Sequence, residues 1–133
     1  MSWYYYAIDE ENKIKYCLDK DINAKKLLPF LLYTIDDKPI TLLSDEMYEE
    51  LDKYSDYETN DFLQTSKSFK DYNDDVIDYC ELSYADFYDI FNAVKGKYVD
   101  ISNYIRYSYG LVYMNYMNEG KIWLYNRKSL HIK

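Results

Sequence analysis

Aspartates at helical spacing are the residues of this chain whose type and arrangement point most clearly to chemistry. Four of them share one face of a helix expected after residue 68: Asp71, Asp74, Asp75 and Asp78. Like charges three or four positions apart destabilise a helix by about 0.2–0.5 kcal/mol per pair, and four such pairs occur here. Because an unmixed row of carboxylates is costly, we interpret this acidic stripe as a surface that meets a cationic partner.

The acidic residues are concentrated in one third of the chain. Residues 45–89 contain fifteen Asp and Glu against three Lys, and residues 90–133 contain seven Lys and Arg against two acidic residues; the net charge is −8. Such asymmetry bears on partners and not on fold. Tyrosine adds rigid contact area to such a surface. The further candidate contact residues of the acidic third are Glu49, Glu50, Tyr57, Asp86, Tyr88 and Asp89.

Metal binding and catalysis find less support in the spacing. The sequence from Asp71 begins like an EF-hand calcium loop, but Val76 stands where the loop needs glycine and Leu82 where it needs a bidentate glutamate. His131 is the one histidine, and no nucleophile or phosphate-binding motif occurs. We therefore expect that the protein is not an enzyme and uses neither a metal nor a cofactor.

The acidic stripe instead suggests an imitation of nucleic acid. Carboxylates on one helix face repeat about every 5–6 Å, comparable to the spacing of phosphates along a strand. The basic residues of the last third are too sparse to favour direct binding of DNA or RNA. We expect the partner to be a basic nucleic-acid-binding protein, such as a nuclease or a CRISPR effector complex. A homodimer, in which the acidic third of one copy meets the basic end of another, is also considered.

In composition, the chain resembles two classes of stoichiometric inhibitor. A small acidic domain rich in Lys, Asn, Ile and Tyr is similar to phage-encoded inhibitors that occupy nucleic-acid-binding sites, anti-CRISPR proteins among them, and to immunity proteins that neutralise a nuclease toxin. The alternative from another class is a self-associating structural or assembly module. With no secretory signal and no apolar run of about 20 residues, we expect a cytoplasmic location in a bacterial host cell and no membrane partner.

The elements that must position these residues indicate a single α+β domain spanning residues 1–133. Aromatic and β-branched runs on either side of polar turns predict two hairpins, one pairing residues 3–8 with 14–18 and one pairing 111–117 with 121–125. We expect both hairpins to contribute to one antiparallel sheet. Between them, residues 27–33 fit a short helix and residues 30–35 fit an extended segment equally well, and residues 40–42 are extended.

Capping residues and apolar spacing predict about three helices, which begin at Ser44, Ser68 and Ser83. The first should bury Met47, Tyr48, Leu51 and Tyr54. The third should end at Gly96 and bury Tyr84, Phe87, Ile90, Phe91 and Val94. A fourth helix is compatible with residues 101–109, and residues 55–67 are interpreted as an ordered loop. The tyrosines expected in the core are Tyr48, Tyr72, Tyr79 and Tyr84.

Overall fold

A five-stranded sheet is the centre of the structure, a computed structural model that describes residues 3–36, 38–62 and 84–104 and the backbone of residues 111–116 and 121–126. The strand order is β4-β2-β1-β3-β5. Neighbouring strands are antiparallel except β2 and β4, which run parallel, so the sheet is mixed. The strands are β1 Tyr4–Asp9, β2 Ile14–Lys20, β3 Ile40–Ser44, β4 Glu58–Asp61 and β5 Tyr98–Val99.

Four α-helices lie in the described ranges, and a 3-10 turn, Asp45–Met47, precedes the second of them. They are α1 Asp21–Thr34, α2 Tyr48–Asp52, α3 Tyr84–Val94 and α4 Ile101–Tyr104. The second hairpin, β6 Leu111–Tyr116 with β7 Lys121–Asn126, forms its own two-stranded sheet, and β7 lies beside α1. The α+β class and both hairpins are confirmed. The second hairpin, however, does not join the main sheet as expected.

The first hairpin is closed by the side chain that ends β1. The carboxylate of Asp9 accepts hydrogen bonds from the Asn12 backbone N–H at 3.1 Å and from Asn12 Nδ2 at 2.9 Å. Lys13 then adopts a positive φ of 57°, which turns the chain into β2. Asp9 is almost fully buried, and these bonds stabilise its carboxylate in place of water.

Helix α1 resolves the ambiguity of the apolar run at residues 27–35. Buried side chains recur at offsets of three and one along it: Ala24, Leu27, Leu28, Leu31 and Leu32. That period belongs to a helix face and not to a strand. Proline is disfavoured in a helix interior, yet the helix continues through Pro29.

The core lies between one face of the sheet and the helices α1 and α3. Tyr5 of β1 is 2% exposed and makes edge-to-face contacts with Phe87 and Phe91 of α3, with both pairs of ring centroids 5.0 Å apart. Edge-to-face aromatic pairs contribute about 0.5–1.5 kcal/mol beyond area burial. These contacts fix α3 against β1.

The predicted third helix is confirmed as α3, including its end. Phe87, Ile90, Phe91 and Val94 are buried as expected. Gly96 has a φ of +73° and its N–H donates to the Leu42 carbonyl of β3 at 3.1 Å, so the left-handed turn also ties the helix end to the sheet. The expectation that Tyr84 is buried was wrong, because its position at the start of α3 leaves it 42% exposed.

The segment after β3 departs most from expectation. Ser44 occupies the N-cap position but makes no capping hydrogen bond, and the helix that follows has only five residues. Residues 58–61, expected in a loop, form edge strand β4. Polar residues suffice there because β4 is mostly exposed and pairs through its backbone with β2.

The helix from Ser68, with Tyr72 and Tyr79, lies outside the described residues. No helix within the described part of the chain has the length and apolar character needed to cross a bilayer.

Candidate protein-interaction surface

The predicted contact residues fall into three groups in the structure. The acidic stripe of Asp71, Asp74, Asp75 and Asp78 lies outside the described residues and stays a prediction. Glu49, Glu50 and Tyr57 lie on or just after α2, whereas Asp86, Tyr88 and Asp89 lie on α3. The described part of the chain therefore presents two places where the acidic third can be examined.

The first place is the acidic segment, which we define as residues 45–58. It contains seven carboxylates and one cation, Lys53. Within it Glu50 is half-buried and Lys53 is exposed. The exposed carboxylates are Glu46, Glu49, Asp52, Asp56 and Glu58. The local excess of negative charge therefore faces solvent, where a partner can reach it.

Tyr48 stands exposed in the middle of this charge. The sequence places it on the buried face, but 66% of its surface is accessible, so that expectation was wrong. The 3-10 turn and the brevity of α2 account for the difference, because Met47 packs against the core and Leu51 is half-buried while Tyr48 points away. An exposed aromatic ring surrounded by polar residues is the composition of an interface anchor.

The carboxylates close to Tyr48 in the sequence are not engaged in ion pairs with described residues. Among the described residues, none of Glu46, Glu49 and Asp52 forms an ion pair with a lysine or arginine. Lys53 follows Glu49 by four positions, the favoured helical spacing, yet makes no such pair. The acidic segment is thus not neutralised by cations in the described parts of the fold.

Three lysines of the described residues lie over tyrosine rings. The Nζ atoms of Lys15, Lys20 and Lys25 lie 5.8 Å, 5.5 Å and 4.4 Å from the ring centroids of Tyr6, Tyr4 and Tyr84, respectively. Distances within about 6 Å are those of cation–π attraction, worth about 0.5–1 kcal/mol at exposed positions. Tyr84 therefore has a cation on its ring, although it is exposed.

Tyr57 connects the acidic segment to the turn of the first hairpin. Its ring packs edge-to-face on Tyr54 with centroids 5.2 Å apart. Desolvation, and then the negative charge of nearby Glu10, raise the pKa of the Tyr57 hydroxyl. The same two causes, in that order, raise the pKa of Tyr54. These shifts report that carboxylates surround both hydroxyls, so the negative charge of the acidic segment extends to the turn of the first hairpin.

The second place, on α3, is built around a partly buried hydrogen bond. The Tyr88 hydroxyl donates to Asp21 Oδ2 at the start of α1 at 2.7 Å, and the Trp3 N–H donates to Oδ1 of the same carboxylate at 3.3 Å. Burial first, then the hydrogen bond and charge of Asp21, raise the pKa of Tyr88 to about 12. Tyr88, predicted to contact a partner, thus uses its hydroxyl inside the molecule.

The carboxylates of α3 differ in exposure. Asp89 is exposed and Asp86 is half-buried. Tyr84 stacks on Tyr88 with ring centroids 6.3 Å apart. These residues lie near one another in space, but the lysine on Tyr84 and the internal bond of Tyr88 leave this surface less open than the acidic segment. We therefore take the acidic segment as the candidate site.

Two features of these surfaces were not visible in the sequence. Tyr48 was assigned to the core because its spacing matches a longer helix than the one that forms. Asp21 gave no signal, since its partners Trp3 and Tyr88 lie 18 and 67 positions away. The capping spacing did place α3 correctly, and the charge count placed the acidic segment.

Metal-ligating side chains are not clustered in the part of the chain that the structure describes. Among them, no group of three or more His, Cys, Asp or Glu side chains is arranged to hold a metal ion. Comparison with protein families, with characterised proteins and with solved structures finds no match for this chain.

Proposed function

We propose that this protein is a small acidic inhibitor or interaction protein that binds a basic, nucleic-acid-binding surface of a protein target. The observation that carries the proposal is the acidic segment: Glu46, Glu49 and Asp52 are exposed and unpaired within the described residues, and Tyr48 stands exposed among them. Charge supplies the attraction and the ring supplies contact area.

Electrostatics favours this kind of partner. Carboxylates that no cation of the described residues neutralises can pair with a foreign lysine or arginine without first breaking an internal ion pair. Their summed field speeds encounter with a positively charged surface, and this gain falls as salt screens it over about 8–10 Å. A groove that holds phosphates offers both the positive charge and the exposure required. A phage-encoded inhibitor of the anti-CRISPR type is the first candidate, and an immunity protein that neutralises a nuclease toxin is the alternative.

The test first captures a target protein from cell extract and then asks whether this chain displaces nucleic acid from it. The full chain is immobilised, incubated with extract of its native host, and the retained proteins are identified by mass spectrometry. A retained protein is then loaded with a fluorescently labelled nucleic acid that it binds, and the full chain is titrated in while anisotropy is followed. The proposal predicts displacement of the nucleic acid at about one chain per target.

A matched pair of variants shows whether the acidic segment is responsible. Glu49→Gln with Asp52→Asn removes two exposed charges inside the segment, and Glu11→Gln with Asp36→Asn removes two exposed charges outside it. At 0.2–1 kcal/mol for each exposed pair lost, the first variant should bind about 2- to 30-fold more weakly. The second should bind like the wild type. Equal affinities for both variants, or nucleic acid that stays bound, would contradict the proposal.

A further inference from the structure

Several tyrosine rings in the described residues have a lysine over them. Tyr48 has the highest exposed fraction of the large exposed hydrophobic side chains in this part of the chain. The rings of Tyr4, Tyr6 and Tyr84 each have a lysine Nζ within 6 Å of the centroid. Over the Tyr48 ring, no lysine or arginine of the described residues is found, although its exposed fraction of 66% exceeds theirs. The ring face of Tyr48 is therefore open to a cation from outside.

Asp52 follows Tyr48 by about one helical turn. Tyr48 and Asp52 are the first and last residues of α2, and residues four apart on a helix have Cβ atoms about 5–6 Å from each other. Both are exposed, and Asp52 has no partner among the described residues. A planar aromatic face and a two-oxygen acceptor thus stand next to each other on one side of α2.

This pairing matches one cation better than the other. A guanidinium is planar, so it can stack on the ring and direct two parallel N–H groups to the carboxylate at the same time. An ammonium is a compact, strongly hydrated point charge that gains little from stacking. The pair of groups therefore distinguishes arginine from lysine, which charge alone does not.

We infer that Tyr48 and Asp52 together bind an arginine side chain of the partner. The inference rests on the proposed function, because it names the residue type that the acidic segment receives. Arginine is the common reader of phosphates and guanine edges in nucleic-acid-binding proteins, so an arginine-selective face suits such a groove.

Two peptides of equal length and charge test the inference on the full chain. One carries eight arginines and the other eight lysines, and dissociation constants are measured by fluorescence anisotropy at low and near-physiological salt. The wild type should bind the arginine peptide more tightly. Tyr48→Leu should weaken arginine-peptide binding about two- to fivefold and change lysine-peptide binding little, whereas Tyr48→Phe should resemble the wild type.

Controls separate the ring from general surface effects. Tyr84→Leu removes a tyrosine whose ring already has Lys25 over it, and should leave the affinity for both peptides unchanged. Asp52→Asn should reduce the arginine preference, and Glu49→Gln should lower the affinity for both peptides alike. Thermal unfolding verifies that each variant folds, which is expected because Tyr48 is exposed.

The outcomes distinguish the inference from the proposed function. Equal losses for the two peptides with Tyr48→Leu, or the same loss with Tyr84→Leu, overturn the arginine site. If both peptides bind equally and with strong salt dependence, the acidic surface stands and only the arginine selectivity fails. If neither peptide binds more tightly than an uncharged one, both the inference and the proposed function fail.

Discussion

Replacing Tyr88 by Phe removes the hydroxyl that ties α3 to α1 and keeps the aromatic ring. The lost hydrogen bond joins Tyr88 to the carboxylate of Asp21 at 2.7 Å. Hydrogen bonds to charged groups contribute about 1.5–3 kcal/mol, and the lower end applies because Tyr88 is only half-buried. We therefore expect the free energy of unfolding to fall by about 1.5 kcal/mol. Asp21 still accepts the hydrogen bond from the Trp3 N–H, which limits the loss of stability.

Urea denaturation followed by circular dichroism measures this change. With a dependence of 1–3 kcal/mol per molar urea, the midpoint should shift down by roughly 0.5–1.5 M. The matched control is Tyr84→Phe, one helical turn earlier and exposed, which should change the free energy by less than about 0.5 kcal/mol.

The difference in the free energy of unfolding between wild type and Tyr88→Phe should also depend on pH, which gives a second test. The pKa of Tyr88 rises from 10.0 to about 12 on folding, so its stabilisation is fully present below pH 10 and is lost as pH rises through about 12. The difference in the free energy of unfolding between the two proteins should stay constant up to about pH 10 and decrease above it. A gap below about 0.3 kcal/mol at pH 7, or one that does not change towards pH 12, would refute the reasoning.

Three further changes test the packing that positions the acidic segment. Gly96→Ala should cost about 1–2 kcal/mol by thermal denaturation, because a side chain at φ +73° is strained and its Cβ would lie 3.4 Å from Met47 Cε; an unchanged melting temperature would contradict this. Ser44→Ala should leave stability unchanged or raise it by about 1 kcal/mol in urea, since the buried Ser44 hydroxyl has no hydrogen-bond partner among the described residues, and a clear loss of stability would contradict this. Phe87→Ala should cost about 3–5 kcal/mol by the same assay, because Phe87 is fully buried against Tyr5; a cost below 1 kcal/mol would argue against this core.

The elements that could be predicted from the sequence are those whose residue types or apolar spacing, within the element itself, are typical of a strand or a helix. Alternating aromatic and β-branched residues marked the hairpins, and apolar spacing up to Gly96 marked α3. Helix α1 was left ambiguous because Pro29 and an almost continuous apolar run conceal its period. Strand β4 could not be predicted, since polar residues on an exposed edge carry no pattern and only pairing with β2 makes them a strand.

The candidate site was predicted in charge but not in geometry. A count of Asp and Glu marks residues 45–89 as acidic, and the acidic segment is the first part of that range. The stripe of Asp71, Asp74, Asp75 and Asp78, which the sequence favours as the contact surface, stays a prediction. Whether Tyr48 faces the core or the solvent depends on the short 3-10 turn before α2 and on Met47 taking the buried position. The partner of Asp21 depends on contacts 67 positions apart, which no local pattern encodes.

Hydrogen exchange of the chain, free and bound to the target captured from its host, tests the central claim most directly. The acidic segment should become protected on binding, with the largest change in the amides of residues 46–53 around Tyr48, and the protection should fade as salt is raised. A complex in which residues 45–58 exchange as they do in the free chain would contradict the account, whatever other part of the chain became protected.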